Sequence, residues 1–231
     1  MDEREGWRGG LLVGAGLATG SFALAMSFGA FAVLHGWPVW LTVLASAVTF
    51  SGSAQFALAT ALAGGGGVLT AVAGATLINL RFVPMGAATA RHLRGGRLRR
   101  GLEGQAVVDG SWVAAQRDDG TLDREKLFGA TLVQWPAWVV GTACGALLVP
   151  SADFARAWGL DVIFPGFFAL LLLDALRQRP ATIPLAALAA VLAGAACLVV
   201  PPGVALLVAA LAAVPGLVAP GRVAPGPVRA R

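Results

Sequence analysis

Charge is what this chain has least of. Only 13% of its 231 residues are Asp, Glu, Lys or Arg, about half the 25% share usual in soluble domains. That excludes an ordinary water-soluble globule. Cysteine and histidine are scarce as well. Cys144 and Cys197 both fall inside apolar stretches, which leaves no disulfide framework and no Cys/His metal spacing. His35 and His92 are the only histidines, and no paired acids lie within apolar sequence. The chain therefore offers no convincing catalytic set, and neither an enzyme activity, a metal nor a cofactor is expected. A cleaved cationic leader is not expected either. The start Met1-Asp2-Glu3-Arg4-Glu5 lacks a positive n-region, and the apolar stretch over 10–34 exceeds a signal h-region of about 7–15 residues, so it reads as retained.

What is present is apolar sequence, 57% hydrophobic by count with a mean hydropathy of +0.76. The expected fold is all-α: a polytopic integral membrane protein forming one transmembrane domain over 1–231. Apolar segments run roughly 10–34, 38–62, 68–90, 127–149, 159–178, 181–200 and 203–219. At about 20 residues per crossing they predict about six or seven transmembrane helices. The first three are rich in small residues, as in Gly10-x-x-x-Gly14, Gly16-x-x-x-Gly20 and the run Gly64 to Gly67; the pattern recurs at Gly141-x-x-x-Gly145. Close helix–helix packing is the expected use.

The net charge of +5 would suggest nucleic acid in a soluble protein. Here most basic residues sit between spans, where the positive-inside bias puts them, so the bilayer is the expected partner and nucleic acid is not. Eight of the seventeen basic side chains fall in a basic loop at 91–126, densest at Arg91, Arg94, Arg97, Arg99 and Arg100. A cytoplasmic loop explains them, with anionic-lipid contact as a further option. Within it, residues 102–116 are too polar for lipid and too apolar for a loop, and read as a re-entrant or cavity-lining segment. If they do not cross, Arg177, Arg179, Arg222, Arg229 and Arg231 join the arginine cluster on the cytoplasmic side. The side of the N-terminus stays open: external if 10–34 crosses once, internal if it folds as a hairpin. Residues 221–231 read as a disordered tail. A short likeness between 79–86 and 162–168 allows an inverted repeat with interrupted helices.

Arg81 is the residue that least fits its surroundings. It lies between Val68 and Ala90 in apolar sequence, and a guanidinium near mid-bilayer costs at least about 2.5–3.5 kcal/mol on insertion scales. Nine residues from the segment end, roughly 13 Å along a helix, it can snorkel only part of the way. A lined polar cavity with a counter-charge follows, and so a candidate functional site. Pro84 denies the Leu80 carbonyl its helical partner, predicting a kink or break beside Arg81. Freed carbonyls and a fixed cation would suit a zwitterion: carbonyls toward an ammonium, guanidinium toward a carboxylate. A structural pair of Arg81 with a buried acid is the plainer role. Asp109, flanked by Val107, Val108 and Trp112, is the best acidic partner and a candidate proton carrier. Ser51 and Gln55 share a helix face, and Gln55 can both donate and accept; an interhelical hydrogen bond is its plainer role. Trp135 and Trp138 lie mid-span near Gln134 and could wall a cavity.

These residues resemble the AzlC family, the large subunits of bacterial branched-chain amino acid exporters. The matching stretches are Phe50-Ser51-Gly52-Ser53-Ala54-Gln55-Phe56, Asn79-Leu80-Arg81-Phe82, Val108-Asp109-Gly110 and Trp138-Val139-Val140-Gly141-Thr142, with Pro165 where the family carries a span proline. Order and spacing agree over about residues 10–220. Phe82 stands where the family usually has histidine, and Gly110 where it has glutamate. The resemblance implies ion-driven export of leucine, isoleucine and valine, and of methionine, from the bacterial cytoplasmic (inner) membrane, with a small AzlD-like membrane subunit as partner. Ser51, Ser53, Gln55, Asn79, Arg81 and Trp138 are then the expected substrate contacts, Asp109 the proton-coupling group, and Pro84 and Pro165 helix breaks. A channel or transporter for other small solutes, or a scaffold subunit of a permease, are the competing readings.

Overall fold

The computed structural model describes residues 6–117, 121–178, 180–200, 204–205 and 208–209. Apart from those last four residues, the expected span at 203–219 lies outside the described residues, as does the tail at 221–231 with Arg222, Arg229 and Arg231. Among the described residues the fold is all-α, with one isolated β-bridge between Gln116 and Leu122. In order the helices are α1 (Gly6–Leu34), α2 (Val39–Val48), α3 (Gly52–Ala63), α4 (Val68–Asn79), α5 (Phe82–Thr89), α6 (Arg97–Gly104), α7 (Asp109–Ala114), α8 (Arg124–Leu148), α9 (Ala152–Ala157), α10 (Leu160–Gln178) and α11 (Ile183–Cys197).

α1 and α8 are the spine. At 29 and 25 residues they measure about 43 and 37 Å at helical rise, enough to cross a hydrocarbon core of about 30 Å. Glycine lets their backbones touch. A Cβ at Gly141 would sit 2.5 Å from the Phe22 carbonyl oxygen, and one at Gly145 2.0 Å from that of Met26. Gly10 faces Lys126 and Gly129, and Gly14 faces Ala130. These pairs climb both helices together, so α1 and α8 run in the same direction. Asp123 ties their starts: its carboxylate accepts from the amide of Lys126 and from that of Gly6, both at 3.0 Å. The N-terminal end of α1 and the arginine-rich segment before α8 therefore share one side of the molecule, the arginine side. Gly16 and Gly20 have no such neighbour.

The apolar segment 38–62 does not cross. α2 enters from the far side, where Trp37 packs near the end of α1, and reaches mid-depth, where Trp135 Nε1 donates to the Ala47 carbonyl at 3.2 Å. The chain then breaks over 49–51, with Ser51 extended. α3 turns back toward the far side: Gly52 abuts Trp138 at mid-depth, while Phe56 and Ala59 pack on Phe28 and Ala32 toward the end of α1. This is a re-entrant hairpin, where one span was expected.

α4 and α5 do run from far side to arginine side, as one span bent by 44°. The bend falls at Leu80 and Arg81, as the sequence predicts, but without freeing a carbonyl: Leu80 accepts from the Val83 amide at 3.0 Å. Pro84 occupies the first turn of α5, where amides lack helical partners anyway, so it starts a helix here more than it breaks one. Pro165, expected as a second break, lies inside an uninterrupted α10; its ring removes the one bond to the Asp161 carbonyl. The likeness between 79–86 and 162–168 thus pairs a bent junction with a continuous helix, and supplies no repeated broken element.

Residues 102–116 form no spanning helix. α6 and α7 fold back on the arginine side, where Ala106, Val107 and Ala115 pack with Leu122 and Leu127. Among the described residues three helices, Gly6–Leu34, Arg124–Leu148 and Pro180–Cys197, are long and apolar enough to cross, or four with the bent pair. α10 has the length but holds Asp161, Asp174 and Arg177.

Candidate functional site

Polar side chains meet where the hairpin break, the α4–α5 bend and the start of α7 converge at mid-depth. Arg81 Nη2 lies 2.8 Å from Asp109 Oδ2 and donates to Ser53 Oγ at 2.9 Å. Its Cζ sits 4.9 Å from the Phe82 ring centroid, and its Nε is buried without a partner. Asn79 Oδ1 accepts from Ser51 Oγ at 2.7 Å, lashing the end of α4 to the hairpin break. The bonds of Arg81 to Asp109 and Ser53, and of Asn79 to Ser51, join elements far apart in sequence, so the site exists only in the folded chain.

Beside this cluster opens a cavity of about 1030 Å³, at the upper end of the range usual for small-molecule sites. Arg81, Asp109, Ser51 and Ser53 give it one polar face. Gln134 of α8 and Ser21 of α1 add a second polar spot, and the remaining walls are apolar: Val13 and Leu17 of α1, Phe82, Trp138, and Phe164, Phe167 and Phe168 of α10. At its far-side end Phe164 stacks on Phe56 with centroids 3.5 Å apart.

Behind the wall runs a second polar layer. Gln55 is buried; it donates to Ser46 Oγ at 2.9 Å and accepts from Trp138 Nε1 at 3.0 Å. Ser46 Oγ also meets Thr142 Oγ1 at 2.7 Å. Both ends of the Gln55 amide are used, which fixes the hairpin to α8 and sets the Trp138 ring against the cavity.

Of the residues singled out by sequence, Ser51, Ser53, Arg81, Asp109 and Trp138 line the cavity; Gln55, Asn79, Pro84 and Pro165 do not. Gln55 and Asn79 instead brace residues that do. Phe82 contributes wall and Phe56 backs it, but Trp135 lies outside the lining, with its Nε1 on the Ala47 carbonyl. Sequence reasoning missed Gly52, Ser21, the role of Gln134 and the α10 aromatics. Gln134 donates to Ser21 Oγ at 3.0 Å across α8 and α1, and its Oε1 is buried without a partner. A mid-span glutamine and serine on two long helices were the available signal. Gly52, between two expected contacts, is where a Cβ would lie 2.5 Å from the Trp138 ring.

An all-helical membrane bundle, with broken elements meeting at one cation beside an apolar hollow, has the build of a transport protein. The comparison with protein families agrees. The family model described as AzlC protein matches residues 16–151, more than half of the chain, and the chain belongs to the AzlC family, a transport-associated family of membrane proteins. No curated protein and no solved structure matches it significantly.

Proposed function

We propose that this chain is a secondary-active exporter of branched-chain amino acids (leucine, isoleucine and valine, with methionine), driven by protons and working with a small AzlD-like subunit in the bacterial cytoplasmic membrane. The observation that carries this reading is the cavity's division into one cationic corner and long apolar walls. A branched-chain amino acid is divided the same way. Its carboxylate suits the guanidinium of Arg81, which can hold two oxygens at once, and its side chain suits the face formed by Phe82, Trp138 and Phe167.

The Arg81–Asp109 pair supports a mechanism. The two side chains are 37% and 55% exposed, so the pair contributes only about 1 kcal/mol or less. An incoming carboxylate can take over the guanidinium at small cost. Asp109 is then released from its counter-charge, beside Val108 and Val113, and is the acid through which the proposed proton coupling acts. The substrate carboxylate and the Asp109 carboxylate compete in this scheme for one cation.

Leucine efflux from cells expressing this chain, with and without a small AzlD-like subunit, tests the proposal. Efflux should require Arg81 and a proton gradient. Efflux equal in an Arg81→Ala variant expressed at the same level, or unchanged when the gradient is collapsed, overturns it.

A further inference from the structure

The densest positive charge in the molecule lies away from the cavity, on the segment from Arg91 to Glu103, and the transport reading does not use it. α6 carries Leu98 and Leu102 one helical turn apart, hence on one face, and they are 81% and 68% exposed. The opposite edge of the helix is fastened to the protein. Glu103 Oε1 accepts from Arg124 Nη2 at 2.6 Å, and its Oε2 accepts from the Arg94 amide at 2.9 Å. Arg100 Nη2 donates to the Ala90 carbonyl. The helix is thus held by its polar edge, with its leucines turned outward.

Its depth is set by the same bond. Arg124 is the first residue of α8, a helix of about 37 Å that outlasts a hydrocarbon core of about 30 Å. The Glu103–Arg124 pair therefore places α6 at the end of a span, level with lipid headgroups rather than out in water. Arg97 flanks the leucine face on one side at helical spacing, Arg99 flanks it on the other while paired with Glu103 at 3.2 Å, and Arg91 and Arg94 are exposed on the approach. Apolar side chains that need hydrocarbon, ringed by guanidiniums that need phosphate, make an interfacial helix for an anionic surface.

We infer that α6 with Arg91, Arg94 and Arg97 is a docking surface for anionic phospholipid, with Leu98 and Leu102 inserted between acyl chains and the guanidiniums on headgroup phosphates.

The test places a fluorophore at the helix. Leu98→Cys, in a Cys144→Ser, Cys197→Ser background, is labelled with bimane and the protein reconstituted in nanodiscs. Brominated acyl chains quench a probe that lies among them. Quenching is expected, and stronger when the brominated chains belong to phosphatidylglycerol than to phosphatidylcholine in the same mixture. The Arg91→Gln, Arg94→Gln, Arg97→Gln variant should keep the quenching and lose the preference, each guanidinium accounting for about a fivefold change in local enrichment. Phosphatidylglycerol counted on the detergent-purified protein by native mass spectrometry should fall in the same variant, and hold in Arg156→Gln, which removes one charge at the far side. No quenching by either lipid would mean the helix stands in water and overturns the insertion. Equal quenching by both lipids in the unsubstituted arginine background overturns the anionic selectivity. A face covered instead by a protein subunit would be quenched in neither lipid once that subunit is present, and would also contradict the proposal.

Discussion

At the scale of single residues, the chain separates groups that face the hollow from groups that hold them there. Gln55 belongs to the second kind, although its type and position suggest the first. Gln55→Leu strands the Trp138 indole N–H, worth about 1–3 kcal/mol when buried, and leaves Ser46 with Thr142 as its remaining partner. The expected outcome is a clear drop in thermal stability, with leucine affinity per folded molecule changed less than in variants of Arg81. Gly52 marks a steric limit. Gly52→Ala drives a methyl into the Trp138 ring, which must shift; overpacking of this kind costs about 1–3 kcal/mol. It should also weaken leucine binding, because the displaced ring enters the space the substrate would use. Calorimetry and equilibrium binding on the purified protein check both.

At the scale of elements, the spine depends on one carboxylate. Asp123 caps α8 and holds the start of α1. Burial pushes its pKa up, but the amides of Lys126 and Gly6 and the Arg117 guanidinium outweigh that, and it lies below its ordinary value of 3.8. A depressed acid contributes stability that is fully present above the unfolded pKa and lost as pH falls through the folded one. Melting temperature should therefore fall as pH is lowered from about 5 toward 2.5, and fall less steeply in Asp123→Asn, which starts lower because it has lost the Arg117 pairing. Parallel slopes in the two proteins would contradict this.

The elements also show what sequence could and could not tell. A charge within apolar sequence is conspicuous because its cost is large, so Arg81 and Asp109 were legible as a pair. The bend beside Arg81 was legible from Pro84, though Leu80 keeps a partner by a tighter turn that local rules do not foresee. Pro165 carried the same signal without the same result: α10 lacks one hydrogen bond there and stays continuous. The α2–α3 hairpin was not legible. Hydropathy weighs length and composition, and 38–62 has both; direction is decided by Phe56 and Ala59 packing back toward Phe28 and Ala32, contacts that only the tertiary fold provides.

For the whole molecule, these directions make a topology. α1 and α8 start on the arginine side, the α2–α3 hairpin enters and leaves on the far side, and α4–α5 returns to the arginine side. The positive-inside bias assigns the arginine side to the cytoplasm, which puts the start of α1 inside although 10–34 crosses once as a single helix. The expected external start counted 38–62 as a crossing, and the hairpin reverses that parity. Single cysteines at Gly36 and Gly66, in a background lacking Cys144 and Cys197, should both react with an impermeant maleimide from outside intact cells. One at Arg94 should not. Labelling of Gly36 but not Gly66 from outside would mean that 38–62 crosses after all.

The cation at mid-depth is the centre of the proposed function, and its use is open to direct measurement. Leucine and leucinol, which differ in the carboxylate, can be titrated into the purified protein and into Arg81→Gln by isothermal calorimetry. Leucine should bind the native protein, leucinol should bind at least tenfold more weakly, about 1.4 kcal/mol, and Arg81→Gln should make the two alike. Leucinol binding as tightly as leucine, or leucine binding undiminished in Arg81→Gln, would show that the guanidinium holds the fold together and does not receive the substrate.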